Sequence, residues 1–420
     1  MKPKLITTLK SYDAATFRAD LLAGLTVAMV ALPLSLAIAI ASGAPPETGI
    51  VTAVAGGFLI SLLGGSRVQI GGPTGAFIVV VYGVIAAHGM SGLVLATLMA
   101  GIILIVGALL RAGNLIRLVP EPVINGFTIG IAIIIATSQL EDLFGLQTGE
   151  VPADFIPKIE TLWTARDSLS PTALGIGLVT MVLILVLRRM APRFPGLIVA
   201  IGITSAVAAI GHLPVETIAS RFGALPRGLP MPGLPPISLT LIGELLPSAL
   251  IIAFLAGIES LLSAMVSDRM IGGSHRPNAE IMAEGAANIG SALFGGLPAT
   301  GAIARTATNV RAGGQTPVAG LVHAAAILLI MLVAAPVAGM LALPALAGLL
   351  MLTAWNMAEL HRWRIWLAQP RGDLFLMALT MILTVVADLT IAIGTGIAIG
   401  LAMRLQRRNA PPPPWHPPER

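Results

Sequence analysis

The chain has 420 residues, 56% of them hydrophobic and 11% charged, with a formal net charge of +5 and a mean hydropathy of +0.90. A water-soluble domain of this length needs far more charge to cover its surface, so the composition points to a protein that crosses a bilayer many times. Cysteine is absent, which removes disulfides, zinc–thiolate sites and thiol nucleophiles, and the six histidines show no metal-ligand spacing.

Residues 1–19 are polar, carry Lys2, Lys4, Lys10 and Arg18, and read as a cytoplasmic segment, partly an interfacial helix, with no removable signal peptide. Apolar segments follow at about 20–42, 48–64, 74–88, 92–112, 121–139, 171–190 and 195–211. A Pro/Gly-rich linker at about 212–243 (Pro214, Pro226, Pro230, Pro232, Pro235, Pro236) leads to a second set at about 244–268, 278–294, 301–312, 317–336, 341–357, 372–388 and 389–405. The tail, 406–420, is basic and then Pro-rich (Ala410 to Pro414, Pro417, Pro418) and reads as a flexible or polyproline-like cytoplasmic extension.

The expected fold is therefore an all-α polytopic membrane protein with 14 transmembrane segments in two seven-segment repeats, 20–211 and 244–405. An odd number of spans per repeat makes the second insert upside down relative to the first. Charge agrees with this. With the N-terminus inside, Arg111, Arg117, Arg188, Arg189, Arg193, Arg362, Arg364 and Arg371 are cytoplasmic, and of the 25 Lys and Arg only Lys158, Arg166, Arg221 and Arg227 fall outside. The external loop after the fifth segment is acidic instead (Glu141, Asp142, Glu150, Asp154).

The third segment of each set is short and interrupted. One begins at Gly-Gly-Pro-Thr-Gly-Ala, Gly71 to Ala76; the other at Gly-Gly-Leu-Pro-Ala-Thr-Gly-Ala, Gly295 to Ala302. A Pro at a helix start costs no hydrogen bond, so both read as half-helices, 3 and 10, that begin inside the membrane. Unpaired amides and a partial positive charge make a helix start a seat for an anion. Two such starts at matching places in two repeats point to a transporter site at the midplane.

Ionisable groups inside the bilayer are costly and are functional candidates for that reason. Glu259 lies mid-segment with Ser260 beside it and Ser263 one turn on. Burial favours the neutral carboxyl, so Glu259 could carry a proton; with the hydroxyls it could instead hold sodium, or it could simply bond two helices together. Arg305, one turn into half-helix 10, could add positive potential to an anion site, or point away to an acidic partner or the cytoplasm. Thr74 and Thr300 could cap the two helix starts or touch substrate. Ser35, after Pro33, is a rare polar group that could equally bond its own backbone. Asp268 with Arg269, and Asp373 with Arg371, read as solvated or orienting charges, and Asp388 as a cap. No nucleophile motif, P-loop or dinucleotide fingerprint is present, so the expectation is a transporter that is not an enzyme, uses no cofactor and does not hydrolyse ATP itself.

The stretch NAEIMAEGAANIGSALFGGLPATGAIARTATNVRAGGQTPVAGLVHA, from Asn278, resembles the signature region of the SulP sulfate-permease family. The opening AGLTVAMVALPLSLAIAIASG, GGPTGA, VPEPVINGFTIGIAI and GDLFLMALTMILTVVADLTIAIGTGIAIG resemble the same family, over about residues 15–405. The resemblance implies a nucleobase-transporter-like fold in the bacterial inner membrane, both termini cytoplasmic. A core domain (spans 1–4 and 8–11) would move against a gate domain (spans 5–7 and 12–14) as an elevator. The anion would be held by Thr74, Gly75 and Ala76 from span 3 and by Gly301, Ala302, Ile303, Ala304 and Arg305 from span 10. Glu259 and Ser263 would couple a proton or sodium, Glu rather than Asp favouring the proton. Ser35, near where relatives often have Gln, would be the contact to the anion from span 1. Family members usually carry a cytoplasmic STAS domain after the last span. This sequence stops in the Pro-rich tail, the domain being either naturally lacking or cut away, so regulation and dimer contacts inferred from that domain do not carry over.

The implied activity is secondary active transport of a small inorganic or organic anion (sulfate, bicarbonate or a dicarboxylate) by proton symport. Sodium-coupled bicarbonate symport, or a voltage-responsive or scaffold protein that transports little, are the alternatives. The expected partners are the anion, the co-transported ion, the lipid bilayer and a second copy in a homodimer, with no nucleic acid.

Overall fold

Backbone polar groups in lipid must find partners within the chain, and helices meet that requirement segment by segment. The computed structural model describes residues 2–111, 113, 120–149, 151–191, 195–387 and 389–406. Arg117, Glu150, Arg193, Asp388 and the Pro-rich tail from 407 lie outside the described residues.

A short α1 (Lys4–Thr8) precedes α2 (Ala14–Ala41). The helix α2 begins several residues before the expected apolar boundary because Asp13 caps it, its side chain accepting from Thr16 N at 2.8 Å. Next come α3 (Pro46–Val51) and α4 (Gly57–Leu63), joined by a π stretch, Thr52–Gly56. Such bulges let an outside group enter the helix ladder. Here Thr52 Oγ1 donates to Thr48 O and accepts from Leu297 N at 2.6 Å.

The helix α5 (Ile78–Leu109) covers two expected segments. They are separated not by a loop but by one non-helical residue, Gly89, at φ 66° and ψ −174°, a conformation open to glycine. Then follow α6 (Glu121–Ser138), α7 (Leu140–Phe144), α8 (Phe155–Thr164), α9 (Pro171–Met190), α10 (Gly196–Ile210) and α11 (Ile218–Phe222). The linker is thus shorter than expected. It contains α11, and α12 (Leu239–Ile271) starts inside it at a Ser238 cap. The chain continues with α13 (Pro277–Leu293), α14 (Ile303–Arg311), α15 (Val318–Gly339), α16 (Leu343–Met357), α17 (Trp363–Leu367), α18 (Arg371–Val386) and α19 (Leu389–Gln406).

Among the described residues, seven helices are long and apolar enough to cross a membrane: Ala14–Ala41, Pro46–Leu63, Gly75–Leu109, Glu121–Phe144, Pro171–Met190, Leu239–Ile271 and Val318–Gly339. Shorter apolar helices include Gly196–Ile210 and Leu343–Met357. At nine residues, α14 rises only about 14 Å, less than half of a hydrocarbon core.

Small residues bring the helices into near-backbone contact. A Cβ on Gly101 of α5 would lie 2.7 Å from Gly285 O of α13, and one on Gly126 of α6 would lie 2.2 Å from Met377 O of α18. In lipid, where apolar side chains gain little by meeting, such close packing is what holds helices together.

Buried polar clamps add to it. Asp20, fully buried in α2, accepts from Gln315 N (2.7 Å), Thr316 N (3.1 Å), Thr316 Oγ1 and Tyr12 OH (3.3 Å), tying α2 to the turn before α15. Burial and the Asp20 carboxylate push the Tyr12 phenol up to about 12, so it stays a donor. Asp20→Ala leaves these donors orphaned in the interior, and a loss of about 3 kcal/mol is expected. Thermal unfolding in detergent reads it, with Asp20→Asn intermediate.

Two extended pieces hold the centre. β1 (Gly71–Gly72) pairs antiparallel with β2 (Thr300–Gly301), Gly71 opposite Gly301 and Gly72 opposite Thr300, and Ala302 N donates to Ile70 O at 2.8 Å. This corrects the reading of both Gly-Gly stretches as plain helix starts. Pro73 and Pro298 lie outside any helix, ahead of the helices and not in their first turns. A two-residue ladder of three glycines and Thr300 has no hydrophobic period, so periodicity could not reveal it.

Candidate functional site

The ladder sets two helix starts side by side. After β1 the chain makes a 3₁₀ turn, Gly75–Phe77, that runs into α5; after β2 it passes Ala302 and enters α14 at Ile303. Neither start has a side-chain cap, which leaves first-turn amides available to something else.

Ala76 and Ile303, one from each start, line the same cavity of about 30 Å³. That is room for about two water-sized groups. Its far wall comes from α6 (Ile124, Phe127, Thr128), α16 (Met357) and α19 (Ile393). Among the lining side chains the polar ones are Thr128 and Glu259. A larger groove of about 650 Å³, lined by Glu47, Ser91 and linker residues from Pro226 to Pro235, shares no residue with this cavity.

Glu259 reaches the cavity from α12 and accepts from Thr74 Oγ1 at 2.7 Å, so one side chain of α12 holds the start of the 3₁₀ turn. Thr74 is therefore not a cap, and neither is Thr300, whose hydroxyl donates to Ala256 O of α12 at 2.9 Å. Both threonines fasten the crossing strands to α12. Gly75 lies near Ile135 and Met357, Ala302 is buried at the start of α14, and Ala304 is exposed.

Three expected site residues turn away from the cavity. Ser263 donates to Thr306 Oγ1 at 3.1 Å, an oxygen that also accepts the amide of Ile70 (3.0 Å). Arg305 is 1% exposed, does not line the cavity, and donates from Nη2 to Ser35 Oγ at 3.1 Å. It neither reaches the cytoplasm nor meets a carboxylate among the described residues. Ser35 bonds its own backbone, Ala31 O, at 2.8 Å while accepting from Arg305. Gly301 gives its amide to Glu284 at 3.1 Å. Asp268, read as solvated, accepts from His275 N and pairs with His275 Nδ1, each at 2.7 Å, fixing the turn after α12.

The sequence reading missed the buried polar face of α13. Glu280, Glu284 and Asn288 are each 0% exposed. Glu280 accepts from Gly65 N, Ser66 N and Ser260 Oγ; Asn288 bonds Ala299 through both its amide groups. Their spacing of four puts them on one helix face, and this was the available signal. Gln69, also missed, donates to Ser260 Oγ at 2.7 Å.

Residues 17–380 match the family model described as the sulfate permease family. Bacillus subtilis YvdB, whose name assigns it provisionally to sulfate transport, is 42% identical over 95% of this chain and 76% of its own length. The bicarbonate transporter BicA of Picosynechococcus is 31% identical over 93% of this chain and 71% of its own. The solved transmembrane domain of a cyanobacterial BicA superposes with a TM-score of 0.80 at 28% identity, covering 93% of this chain and 98% of that one. Murine Slc26a9, described as an anion transporter in the inward-facing state, shares the fold with a TM-score of 0.85 at 16% identity.

Proposed function

The chain belongs to the sulfate permease family, and from that premise we propose that it is a secondary active transporter of small anions. The observation that carries the reading is the pair of uncapped helix starts, brought together by the two-residue β1–β2 ladder and opening on the cavity that Glu259 enters. Unpaired amides and the positive ends of two helices favour a negative guest there without any lysine or arginine at the wall. The proposed seat is Thr74, Gly75 and Ala76 on one side and Ala302, Ile303 and Ala304 on the other. Arg305, held against Ser35, contributes positive charge from behind the strands rather than by contact.

In this reading the chain crosses the inner membrane of a bacterium 14 times as two inverted seven-segment repeats, both ends cytoplasmic. The elements around the ladder form the core, which slides as an elevator against a gate that includes α6, α16 and α19. The cavity wall shared between the two groups supports this division. Coupling falls to Glu259. Ser263 Oγ donates to Thr306 and keeps its lone pairs, so the preference for a proton rests on the carboxyl being Glu rather than Asp.

Purified protein in proteoliposomes, offered sulfate, bicarbonate and a dicarboxylate under imposed gradients, tests this. Accumulation of one of them driven by an inward proton gradient, and unaffected by sodium, is the expected result. A strict sodium requirement would replace proton by sodium coupling, and no uptake of any small anion would sink the transporter reading.

A further inference from the structure

Two buried carboxylates one helical turn apart on α13 sit in unequal surroundings. Glu280 has three donors, Gly65 N (2.6 Å), Ser66 N (2.8 Å) and Ser260 Oγ (3.3 Å). Glu284 has one backbone donor, Gly301 N on Oε1 at 3.1 Å, and shares Ser260 Oγ with Glu280, while its Oε2 is buried with no hydrogen-bond partner among the described residues. Neither side chain is exposed.

A buried carboxylate is tolerated when donors surround it and costs heavily when they do not. Like charges one turn apart repel as well. When two acids in contact differ in this way, the better solvated one ionises and the other keeps its proton. Gln69 supplies the complementary signal. Its Oε1 is likewise buried without a donor, and its side chain packs on Gly301, the glycine that bonds Glu284. A protonated Glu284 offers the O–H that this cluster lacks.

The other ionisable groups do not upset the assignment. Glu259 on α12 is a further like charge; His275, in the turn before α13, is paired with Asp268. Arg305 lies against Gly72 and Ser35, and His323 of α15 faces Gly57. On α5, His88 pairs with Glu244, and α4 and the π stretch carry no ionisable residue.

We propose that Glu284 is a second proton-coupling residue, neutral when the anion is bound and linked to the anion seat through Gly301. The argument rests on the anion-transport reading above. Gly301 is part of β2, one residue before the start of α14. Releasing the proton to water leaves a full negative charge behind that start, where it opposes the incoming anion; taking the proton up removes it. One proton and one anion therefore favour each other's binding, and Glu284 positions and tunes the seat without touching the substrate.

Infrared spectra of the protein in lipid nanodiscs at neutral pH test the charge state. The carbonyl-stretch band of a protonated carboxylic acid is expected to lose intensity in Glu284→Gln and to persist in Glu280→Gln. Binding of sulfate and of bicarbonate across pH 6–9 tests the linkage. Wild-type affinity is expected to fall as pH rises and the protons leave, and Glu284→Gln to lose about tenfold per pH unit of that slope, keeping only what Glu259 contributes. An unchanged infrared band in Glu284→Gln, or a wild-type pH slope in that variant, overturns the inference. If Glu284→Gln does not fold, Glu284→Asp serves: it should shift the band rather than leave it in place. A flat profile in Glu259→Gln alone would remove the role of Glu284 and leave the transporter reading intact. Absence of anion binding in the wild type would remove that reading, with the infrared result still deciding where the proton sits.

Discussion

Glu259→Gln is expected to abolish anion uptake driven by a pH gradient. The amide keeps the shape of the side chain and an oxygen to accept from Thr74 Oγ1, now 2.7 Å away, but it cannot gain or lose a proton. The crossing should therefore stay assembled, and anion exchange down a concentration gradient should survive. Proton-driven accumulation should fall at least tenfold, which is about 1.4 kcal/mol of lost coupling. Uptake and exchange measured on the same proteoliposomes separate the two. Full accumulation with the wild-type pH dependence would mean that Glu259 only fastens α12 to the strand crossing.

The second large effect is expected at Gly301. A methyl group there would lie 1.7 Å from Gln69 Nε2, a separation no real contact shows. Gln69 cannot simply swing away, because its amide donates to Ser260, which in turn donates to Glu280. Gly301→Ala should therefore push β2 off β1, open the gap between the helix starts and reduce transport to background. Overpacking in a filled interior costs about 1–3 kcal/mol, so the protein should still fold with a lowered melting temperature. Gly175, on α9 with nothing near its would-be Cβ, is the control: Gly175→Ala should be silent in both assays.

Much of this architecture is written in long apolar runs. Hydropathy marked where α2, α6, α9, α12, α15 and α18 fall, because a helix in lipid needs an unbroken apolar stretch. Boundaries set by polar caps were missed: Asp13 begins α2 and Ser238 begins α12 earlier than hydropathy alone suggests. The two Gly-Gly stretches were visible as interruptions, but their pairing was not, since a two-residue ladder depends on residues more than two hundred positions apart.

Among the site residues, the bond from Thr74 to Glu259 joins two candidates chosen independently from the sequence. The directions of Ser263 and Arg305 could not be read, because a residue's helical face is fixed by spacing while its partner is fixed by tertiary packing. Glu280 and Glu284 were in view inside the motif that carried the family resemblance, yet as a pattern they said nothing of which one has donors. Hydrogen-bond inventories of buried acids come from folded geometry alone.

The location of a bound anion tests the account most directly. Diffraction from crystals soaked in selenate or bromide, collected for anomalous signal, is expected to show one peak between Ala76 and Ile303, within hydrogen-bond reach of the first amides of α14. A peak in the groove beside Glu47 and the Pro-rich linker, with the two helix starts empty, would contradict it.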